Sequence, residues 1–347
     1  MIDEVFIPFS FDRWEGPATP LSWHTAGAIP SWEKARLVIF EMGRPAAPDA
    51  EVAKALASLS WETAPEEIVH LGRLAADSTH PAYSKWLADI WQFLRTSNPQ
   101  AVWLTYTARA TDQLSLFPLD QPGGWMALFK PRLEARDEKP IRALLEDGRL
   151  DHLFIGGIQA FYTDRALRNL MSFPQVDIWR LAELKDQPDL MDVMLRQVQR
   201  VAVDYSLLAF GVTANDRHGI AGMDIYDWVK MFYHAGLSPV IRHVDVYAYV
   251  PGDFPGRDAE ALALGIWHLW EGMKNKERDF PLIEKEKLEH FRIAADHRHW
   301  AVYLNPQTGR WWIDLWEEPR RMLPVTAKTV EMLREEKVPL HLLKYFL

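Results

Sequence analysis

The sequence predicts a three-layer α/β/α fold, in which an eight-stranded and mainly parallel sheet is covered by helices on both faces. Three observations support this prediction. Eight short apolar runs recur along the chain, and turn residues bound them. Most runs do not alternate apolar with polar residues, as expected for strands that are buried on both faces. Helical patterns separate most of the runs, which is typical of parallel sheets.

The eight candidate strands follow one another from residue 36 to residue 249. In chain order they are "RLVIFEMG" (36–43), "EEIVHLG" (66–72), "AVWLTY" (101–106), "WMALFK" (125–130), "LDHLFIGG" (150–157), "PQVDIWRL" (174–181), "RVAVDYS" (200–206) and "PVIRHVDVYAY" (239–249). Their length and apolar content indicate strands rather than short helices.

Four segments between or after these runs have helical patterns. Two of them, "PDAEVAKALASL" and "HPAYSKWLADIWQFLRT", follow the first and second runs. In "DIYDWVKMFYHAG", Asp224 is placed to cap the helix, Asp227 follows in the first turn, and Gly236 is predicted to end the helix. The fourth helix, "RDAEALALGIWHLWEGMK", has an apolar stripe at helical spacing.

The C-terminal part departs from this alternation. The charged segment "LIEKEKLEHFR" is interpreted as a solvated helix or linker. The next segment, "HWAVYLNPQTGRWWIDL", contains two strand patterns around an Asn-Pro-Gln-Thr-Gly turn and predicts a small hairpin. We therefore expect an α/β domain over residues 1–285, with a C-terminal hairpin and tail, residues 286–347, packed on it.

Composition excludes several classes of function. The chain has 347 residues, a net charge of −9 and no cysteine. Disulfides and thiolate metal sites are thus excluded. Lys and Arg are scattered, so nucleic acid is not an expected partner. Because there is no long apolar run and no leader pattern at the start, the sequence predicts a cytoplasmic protein that does not span a membrane.

Parallel sheets bind their ligands at the carboxyl ends of the strands. The residues at predicted strand ends are Gly43, Gly72, Thr105 to Ala108, Lys130, Gly156 to Gln159, Asp204 to Ser206, and Ala248. Of these, Asp204 is the main candidate for a catalytic or metal-binding acid, because its carboxylate directly follows an apolar run and therefore lies at the end of a predicted strand.

Several segments in fixed order resemble the ureohydrolases, the family of arginase, agmatinase and formimidoylglutamase. They are "FIGGIQAFYTD", "VAVDYSLLAF", "GIAGMDIYDWVKMFYHAGLSPVIRHVDVYAYVP" and "GRDAEALALGIWHLWEGM". The segment "GRWWIDL" is similar to one found in the formimidoylglutamase-like subgroup of Bacteroidota. The resemblance implies an arginase-like sheet of eight strands and a homo-oligomer. In active members of the family it implies two manganese ions that activate a water molecule.

The motifs that hold those ions are degenerate in this chain. Asp204 matches the first Asp of the family's Asp-x-Asp, but Ser206 replaces the second. The stretch "ALFKPRLEA" stands where Asp-Ala-His-x-Asp is expected and contains neither His nor Asp. The stretch "LTYTARATDQL", the counterpart of Gly-Gly-Asp-His, has no His, and Ala248 replaces a substrate-contacting Glu.

The loss of these ligands predicts the loss of the metal pair. Two divalent ions about 3.5–4 Å apart need several carboxylates to offset their charge. Asp204 is the only retained residue of a ligand type, so no Mn²⁺ and no other cofactor is expected. The sequence predicts a vestigial pocket to which no catalytic residue is assigned. Its members are Asp204, Ser206, Ala248, Gln159, Asp216 and His218.

Other polar patterns have both a functional and a structural interpretation. His297 and His299 lie on one face of a predicted strand and could bind a metal, or could be surface or interface histidines. His243, Asp245 and Tyr247 alternate along one strand, as a functional stripe or as a buried hydrogen-bonded network.

Two loops at strand ends also have both interpretations, and for the paired glycines the structural one is favoured. The paired glycines Gly156 and Gly157 could let a ligand approach closely, but tight packing or a turn also requires glycine. The loop with Asp216, Arg217 and His218 could shape a retained pocket or be an ordinary solvated loop.

These observations favour a pseudoenzyme: a homo-oligomeric protein with a structural, regulatory or ligand-binding role. The alternative is a hydrolase that acts on the C–N bond of a linear amidine, a formimidoylglutamate-type or guanidino-type substrate. A third hypothesis is a subunit that binds a protein partner through its Trp-rich C-terminal region, since Trp is enriched at binding hot spots.

Overall fold

A computed structural model describes residues 6–8, 22–23, 31–43, 50–62, 67–75, 83–108, 124–159, 165–187, 189–209, 221–252, 254–275, 287–314 and 322–343. The strands are β1 (Phe6–Ile7), β2 (Ser22–Trp23), β3 (Leu37–Gly43), β4 (Ile68–Ala75), β5 (Val102–Thr107), β6 (Gly124–Phe129), β7 (Leu150–Ile158), β8 (Val176–Arg180), β9 (Arg200–Asp204), β10 (His243–Tyr247), β11 (Glu289–Ala295), β12 (Arg298–Leu304), β13 (Trp311–Asp314) and β14 (Met322–Val325). The helices are α1 (Ala50–Ser58), α2 (Tyr83–Ser97), α3 (Ala135–Glu146), α4 (Arg165–Leu170), α5 (Leu181–Asp186), α6 (Asp189–Leu195), α7 (Ile225–Leu237), α8 (Pro255–Asn275), α9 (Ala327–Arg334) and α10 (Leu340–Leu343).

The main sheet contains all eight predicted strands, and the prediction of a mainly parallel sheet is confirmed. Its strand order is β1-β4-β3-β5-β10-β9-β6-β7-β8, and β2 pairs with β4. Every pairing is parallel except that of β1 with β4. The two additional strands, β1 and β2, are only two residues long each and leave no periodic signal in the sequence.

Helices cover both faces of this sheet, which confirms the three layers. On one face, the largest core cluster joins side chains of the sheet with those of α1, α6, α7 and α8. On the other face, one cluster joins β3 and β4 with α2, and another joins β6 and β7 with α3. The strands are buried on both sides, as their continuous apolar runs predicted.

The helix α7 begins as predicted but does not end at Gly236. Asp224 caps it, since its carboxylate accepts a hydrogen bond of 3.0 Å from the backbone N–H of Asp227. The helix continues to Leu237. Gly236 instead lies where α7 crosses α8, and a Cβ at this position would be only 2.2 Å from the carbonyl oxygen of Leu269. The glycine therefore allows two helix backbones to approach each other.

The C-terminal region forms a four-stranded antiparallel sheet, β11-β12-β13-β14, rather than the predicted hairpin. The predicted hairpin is its central pair, β12 and β13. Part of the charged segment is strand β11, whose Ile293 and Ala295 are buried while most of its other side chains are exposed or partly exposed. The interpretation as helix or linker was wrong there, because exposed charged residues hid an alternating strand pattern. The proposed domain boundary, 285/286, lies outside the described residues and stays a prediction.

One further expectation for this region is corrected, and another stays a prediction. His297 does not share a strand face with His299: it lies in the turn between β11 and β12, and both Asp296 and His297 have positive φ, 49° and 58°. Trp300 and Trp312 are buried, 3% and 2% exposed, so these two side chains fill the core. Binding of a protein partner through the Trp-rich C-terminal region stays a prediction. Within the described residues, no helix is long and apolar enough to cross a membrane.

Candidate functional site

The pairing register brings the predicted strand-end residues into one row at the carboxyl edge of the sheet. Phe129 of β6 pairs with Val203 of β9, so that Lys130 lies beside Asp204. Asp204 in turn pairs with Tyr247 of β10, after which Ala248 follows. Because these strands are central in the sheet, the row lies in the middle of the carboxyl edge, as expected for a ligand site.

A buried lysine dominates this row. The ammonium nitrogen of Lys130 is 2.8 and 2.7 Å from the two carboxylate oxygens of Asp137. It is 3.8 Å from Oδ2 of Asp204. The Lys130 and Asp137 side chains are 3% and 0% exposed, and that of Asp204 is 10% exposed. One ammonium thus lies between two carboxylates in a site that is almost closed to water.

Asp137 reaches this position because it begins a helix. It belongs to the first turn of α3, and its Oδ2 accepts a hydrogen bond of 2.8 Å from the backbone N–H of Glu134. The same carboxylate therefore stabilises the start of α3 and binds Lys130. The sequence predicted Lys130 only as a strand-end residue, and Asp137 was not predicted to lie at this site. A lysine that directly follows a buried strand, with an acid seven residues later, was the available signal.

Ser206 occupies the position of a carboxylate in the Asp-x-Asp pattern, and it binds Asp204. Its hydroxyl donates a hydrogen bond of 2.6 Å to Asp204 Oδ1, and its backbone N–H donates one of 3.0 Å to the same oxygen. These bonds make Asp204 the cap of a single 3₁₀ turn, Tyr205–Leu207. Both oxygens of Asp204 are thus engaged, one by Ser206 and the other by Lys130.

The two glycines at the end of β7 serve packing. A Cβ on Gly156 would be 2.8 Å from the ring of Phe129. Gly157 has a φ of +82°, and a Cβ there would be 2.8 Å from a methyl group of Leu207. These contacts support the structural interpretation of Gly-Gly, because the glycines allow the turn after β9 to pack against β7.

Gln159 lies next to the row and is 5% exposed. Its backbone N–H donates to the carbonyl of Pro131 at 2.8 Å, and its Nε2 donates to the carbonyl of Ala221 at 2.8 Å. Its Oε1 is buried and has no hydrogen-bond partner in the part of the chain that the structure describes. An unpaired buried acceptor is costly, and in a native protein it requires an explanation, such as a bound water molecule or ion.

Ala248 adopts a left-handed backbone conformation, with a φ of 55°. It is half-buried at the end of β10. Alanine rarely adopts this conformation, and strained residues of this kind cluster at functional sites. Its methyl group carries no polar function, so it supplies neither an acid nor a base here. Asp216, Arg217 and His218 lie outside the described residues, and their placement at this site stays a prediction.

The polar stripe of β10 is a buried hydrogen-bonded network. Asp245 accepts hydrogen bonds from Thr105 Oγ1 at 2.5 Å and from Arg200 Nε at 2.8 Å, and Nε2 of His243 is 2.9 Å from it. Arg200 also donates to the hydroxyl of Tyr247 at 3.0 Å. Burial alone would raise the pKa of Asp245, but the charge of Arg200 and the contact with His243 hold that pKa well below its usual range. Within this network Asp245 and Arg200 compensate each other's charge, and the network faces helix α2, where Trp91 stacks on His243.

The carboxyl edge offers few metal ligands. Among the described residues, no group of three or more His, Asp or Glu side chains is arranged so that it could hold a metal ion. In the row itself, Asp137 and Asp204 are the acids, and an ammonium lies between them. The arrangement can bind and orient a polar group near Gln159, and it supplies a buried ammonium with two carboxylates.

Comparisons with known proteins identify the fold. No family model and no curated protein sequence matches this chain. Among solved structures, formimidoylglutamase from Bacillus subtilis has a TM-score of 0.58 at 16% identity, over 69% of this chain and 87% of that chain. Oxidised Trypanosoma cruzi formiminoglutamase with Mn²⁺ has a TM-score of 0.60 at 14% identity, over 71% of this chain and 95% of that chain. Agmatine ureohydrolase of Thermoplasma volcanium has a TM-score of 0.55 at 11% identity, over 74% and 96%.

At sequence identities this low, the structural similarity establishes the fold of this chain and does not assign its activity or substrate. The strand order, the parallel register and the helices on both faces agree with the arginase-like fold that the sequence predicted. The chain therefore has the ureohydrolase fold, shared with formimidoylglutamases and agmatinases.

Proposed function

We propose that this chain is a catalytically degenerate ureohydrolase-fold protein that does not bind a manganese pair and has a ligand-binding, regulatory or structural role. The observation that carries the proposal is the position of Lys130. Its ammonium nitrogen binds Asp137 and lies 3.8 Å from Asp204, the one retained acid of the degenerate motifs. The chain thus supplies its own cation beside that acid.

The donor set does not fit two divalent cations. Three charged side chains meet here, Lys130, Asp137 and Asp204, and their net charge is −1. A dication placed about 4 Å from the ammonium would be repelled by about 8 kcal/mol at an effective dielectric constant of about 20. Ser206, in place of a second acid, adds no charge to offset this repulsion.

Gln159 favours a ligand-binding role over a purely structural one. Its Oε1 is a buried acceptor without a partner among the described residues, and it lies next to the row of Lys130 and Asp204. A ligand with an N–H donor would satisfy it. This role is also compatible with the homo-oligomer and the cytoplasmic location that we propose for the chain.

Metal content after reconstitution with Mn²⁺ tests the proposal directly. We expect the wild-type chain to retain no Mn²⁺ after dialysis, as measured by inductively coupled plasma mass spectrometry. As a comparison, the double variant Lys130→Asp with Ser206→Asp removes the ammonium and adds two carboxylates. We expect it to retain more Mn²⁺ than the wild type. Two tightly bound manganese ions per wild-type chain would overturn the proposal.

The alternative is a hydrolase that acts on the C–N bond of a linear amidine, of the formimidoylglutamate or guanidino type. This candidate is supported by the fold, because the chain shares its fold with formimidoylglutamase and agmatine ureohydrolase. It predicts release of urea, formamide or ammonia from such substrates. Turnover above the rate of a protein-free control, with or without Mn²⁺, would support the alternative; no turnover across the panel would count against it.

A further inference from the structure

A cavity lies where the main α/β domain meets the C-terminal sheet. It has a volume of about 530 Å³. Its wall includes α6 and α7 from the main domain and the turn before β13 from the C-terminal sheet. Small-molecule pockets in proteins have volumes of about 300–1,000 Å³ and occur preferentially at domain interfaces. The cavity is therefore of the size and in the type of place that binds metabolites.

The wall carries two arginines that share one carboxylate. Arg196 Nε donates a hydrogen bond of 2.7 Å to Asp192, and Arg310 Nη2 from the C-terminal sheet donates to the other oxygen of Asp192. Nδ1 of His234 lies 3.0 Å from the same carboxylate. The Arg196, Arg310 and Asp192 side chains are 7%, 11% and 10% exposed. One negative charge thus faces two buried positive charges.

The whole lining has an excess of positive charge. Its cationic side chains are Arg196, Lys230 and Arg310, and its carboxylates are Asp189 and Asp192, which leaves +1 before His234 is counted. This excess occurs in a chain whose net charge is −9. Burial lowers the pKa of Arg310, and although Asp192 opposes this effect, the charge of Arg196 adds to it. An added anion would relieve the repulsion between the guanidinium groups.

The cavity is separate from the site at the carboxyl edge. Arg196 precedes the first residue of β9, Arg200, by four positions, whereas Asp204 is the last residue of that strand. The length of a five-residue strand, about 16 Å, separates the two edges. The cavity therefore lies toward the amino edge of the sheet, and nothing in it depends on the proposed loss of the metal pair.

We infer that this cavity binds a small organic anion through a carboxylate or phosphate group. A planar guanidinium group binds both kinds of group well through parallel N–H donors, and Arg310 supplies such a group. Arg196 already donates to Asp192 and to the carbonyl of Trp311, so it contributes its positive charge. Lys230, which is half-buried on α7, adds a third cation to the wall. The first turn of α9 also lines the cavity, and a helix N-terminus favours negative charge. Because the two domains supply the wall jointly, the bound anion stabilises their contact.

Thermal unfolding of the full chain with two probes tests this inference. The probes are inorganic phosphate and glutarate, each titrated at constant ionic strength against sodium chloride. We expect at least one probe to raise Tm in a saturable manner by a few degrees, because a ligand that binds only the folded state stabilises it. A rise in Tm with phosphate alone would show that the cavity binds a phosphate group. A rise in Tm with glutarate alone would show that it binds a carboxylate.

Variants decide whether the effect arises in this cavity. We expect Arg310→Gln and Lys230→Gln to abolish the rise. Arg292→Gln, which changes an exposed arginine of the same C-terminal sheet, should retain it. Lys230→Gln keeps the test decisive if Arg310→Gln does not fold. The inference is overturned if neither probe raises Tm beyond the chloride control, or if the rise persists when Arg310 or Lys230 is replaced.

Discussion

At the scale of the residue, Lys130 is the side chain whose surroundings matter most. Its side chain is 3% exposed, and its ammonium group is paired with Asp137 and Asp204. Buried charges are tolerated only when they are paired, and removal of one partner leaves the others without compensation. The lysine therefore has a structural role that is independent of any ligand.

We expect Lys130→Met to lower the free energy of unfolding by about 3–5 kcal/mol, because it leaves two carboxylates close together and largely buried. Chemical denaturation measures the change. The matched control is Lys139→Met on α3, whose lysine is exposed, and which should change stability by less than about 0.5 kcal/mol. Replacing Asp137 by Asn in the Lys130→Met background should recover part of the loss. A loss equal to that of the control would contradict the assigned ion pairs.

His70 makes the stability of the folded chain depend on pH. Burial lowers its pKa from 6.5 to about 3. Its Nδ1 accepts a hydrogen bond of 3.1 Å from Gly72 N–H, and its Nε2 lies 3.2 Å from the hydroxyl of Tyr106. The neutral ring therefore fits its site, and a proton on Nδ1 would break the bond to Gly72.

This low pKa of His70 determines whether the folded protein gains or loses stability as the pH falls. Below pH 6.5 the unfolded chain binds a proton at His70, whereas the folded chain does not until about pH 3. Stability is therefore lost as the pH falls, by about 1.4 kcal/mol per pH unit across this window. Denaturation between about pH 4.5 and pH 6.5 measures the slope, and His70→Gln should reduce it by about that amount. An equal slope in both proteins would refute the assignment.

At the scale of the element, the crossing of α7 and α8 depends on glycine. A Cβ on Gly272 would be 2.1 Å from the carbonyl oxygen of Tyr233, and one on Gly236 would be 2.2 Å from that of Leu269. Both contacts are with backbone atoms, which cannot rotate away. The glycines therefore set the distance between two helices that belong to the largest core cluster.

We expect Gly272→Ala to cost about 3 kcal/mol of stability, since the helices must separate to admit the methyl group. Gly256→Ala is the matched control in the same helix, α8. A Cβ there would be 3.6 Å from the nearest atom, a side-chain oxygen of Glu51, so the change should be neutral or stabilising by up to about 1 kcal/mol. Equal midpoints of thermal unfolding for the two variants would show that the close crossing is not required.

The elements also show what a sequence reveals about this fold and what it does not. Strands buried on both faces carry continuous apolar runs, and all eight were predicted. The strand β11 was missed because only Ile293 and Ala295 of its side chains are buried. The contact of Lys130 with Asp137 was missed for a different reason: it depends on how α3 packs against the end of β6, which is a tertiary property. The position of Asp204 at the carboxyl edge of the sheet was predicted because Asp204 is the last residue of its own strand, β9.

At the scale of the whole molecule, a small number of polar contacts ties the C-terminal sheet to the α/β domain. Arg196 Nη1 donates a hydrogen bond of 2.8 Å to the carbonyl of Trp311, and its guanidinium lies over the ring of Trp312 at 5.0 Å. Arg310 binds Asp192 from the other side. Asp192 on α6 is the carboxylate that both arginines share, and it therefore links Arg310 of the C-terminal part to the α/β part of the molecule.

We expect Asp192→Asn to destabilise the protein by about 3–5 kcal/mol, because the change keeps the shape of the side chain but leaves two buried guanidinium groups without their shared anion. The loss should be local, since the α/β domain has its own core. Hydrogen exchange followed by mass spectrometry should therefore show faster exchange in β11 to β14, with β3 to β5 unchanged. The matched control, Asp189→Asn, alters an exposed acid of the same helix and should cost less than about 1 kcal/mol. Faster exchange throughout both sheets would mean that the molecule unfolds as one unit, and that this carboxylate is not the joint between its two parts.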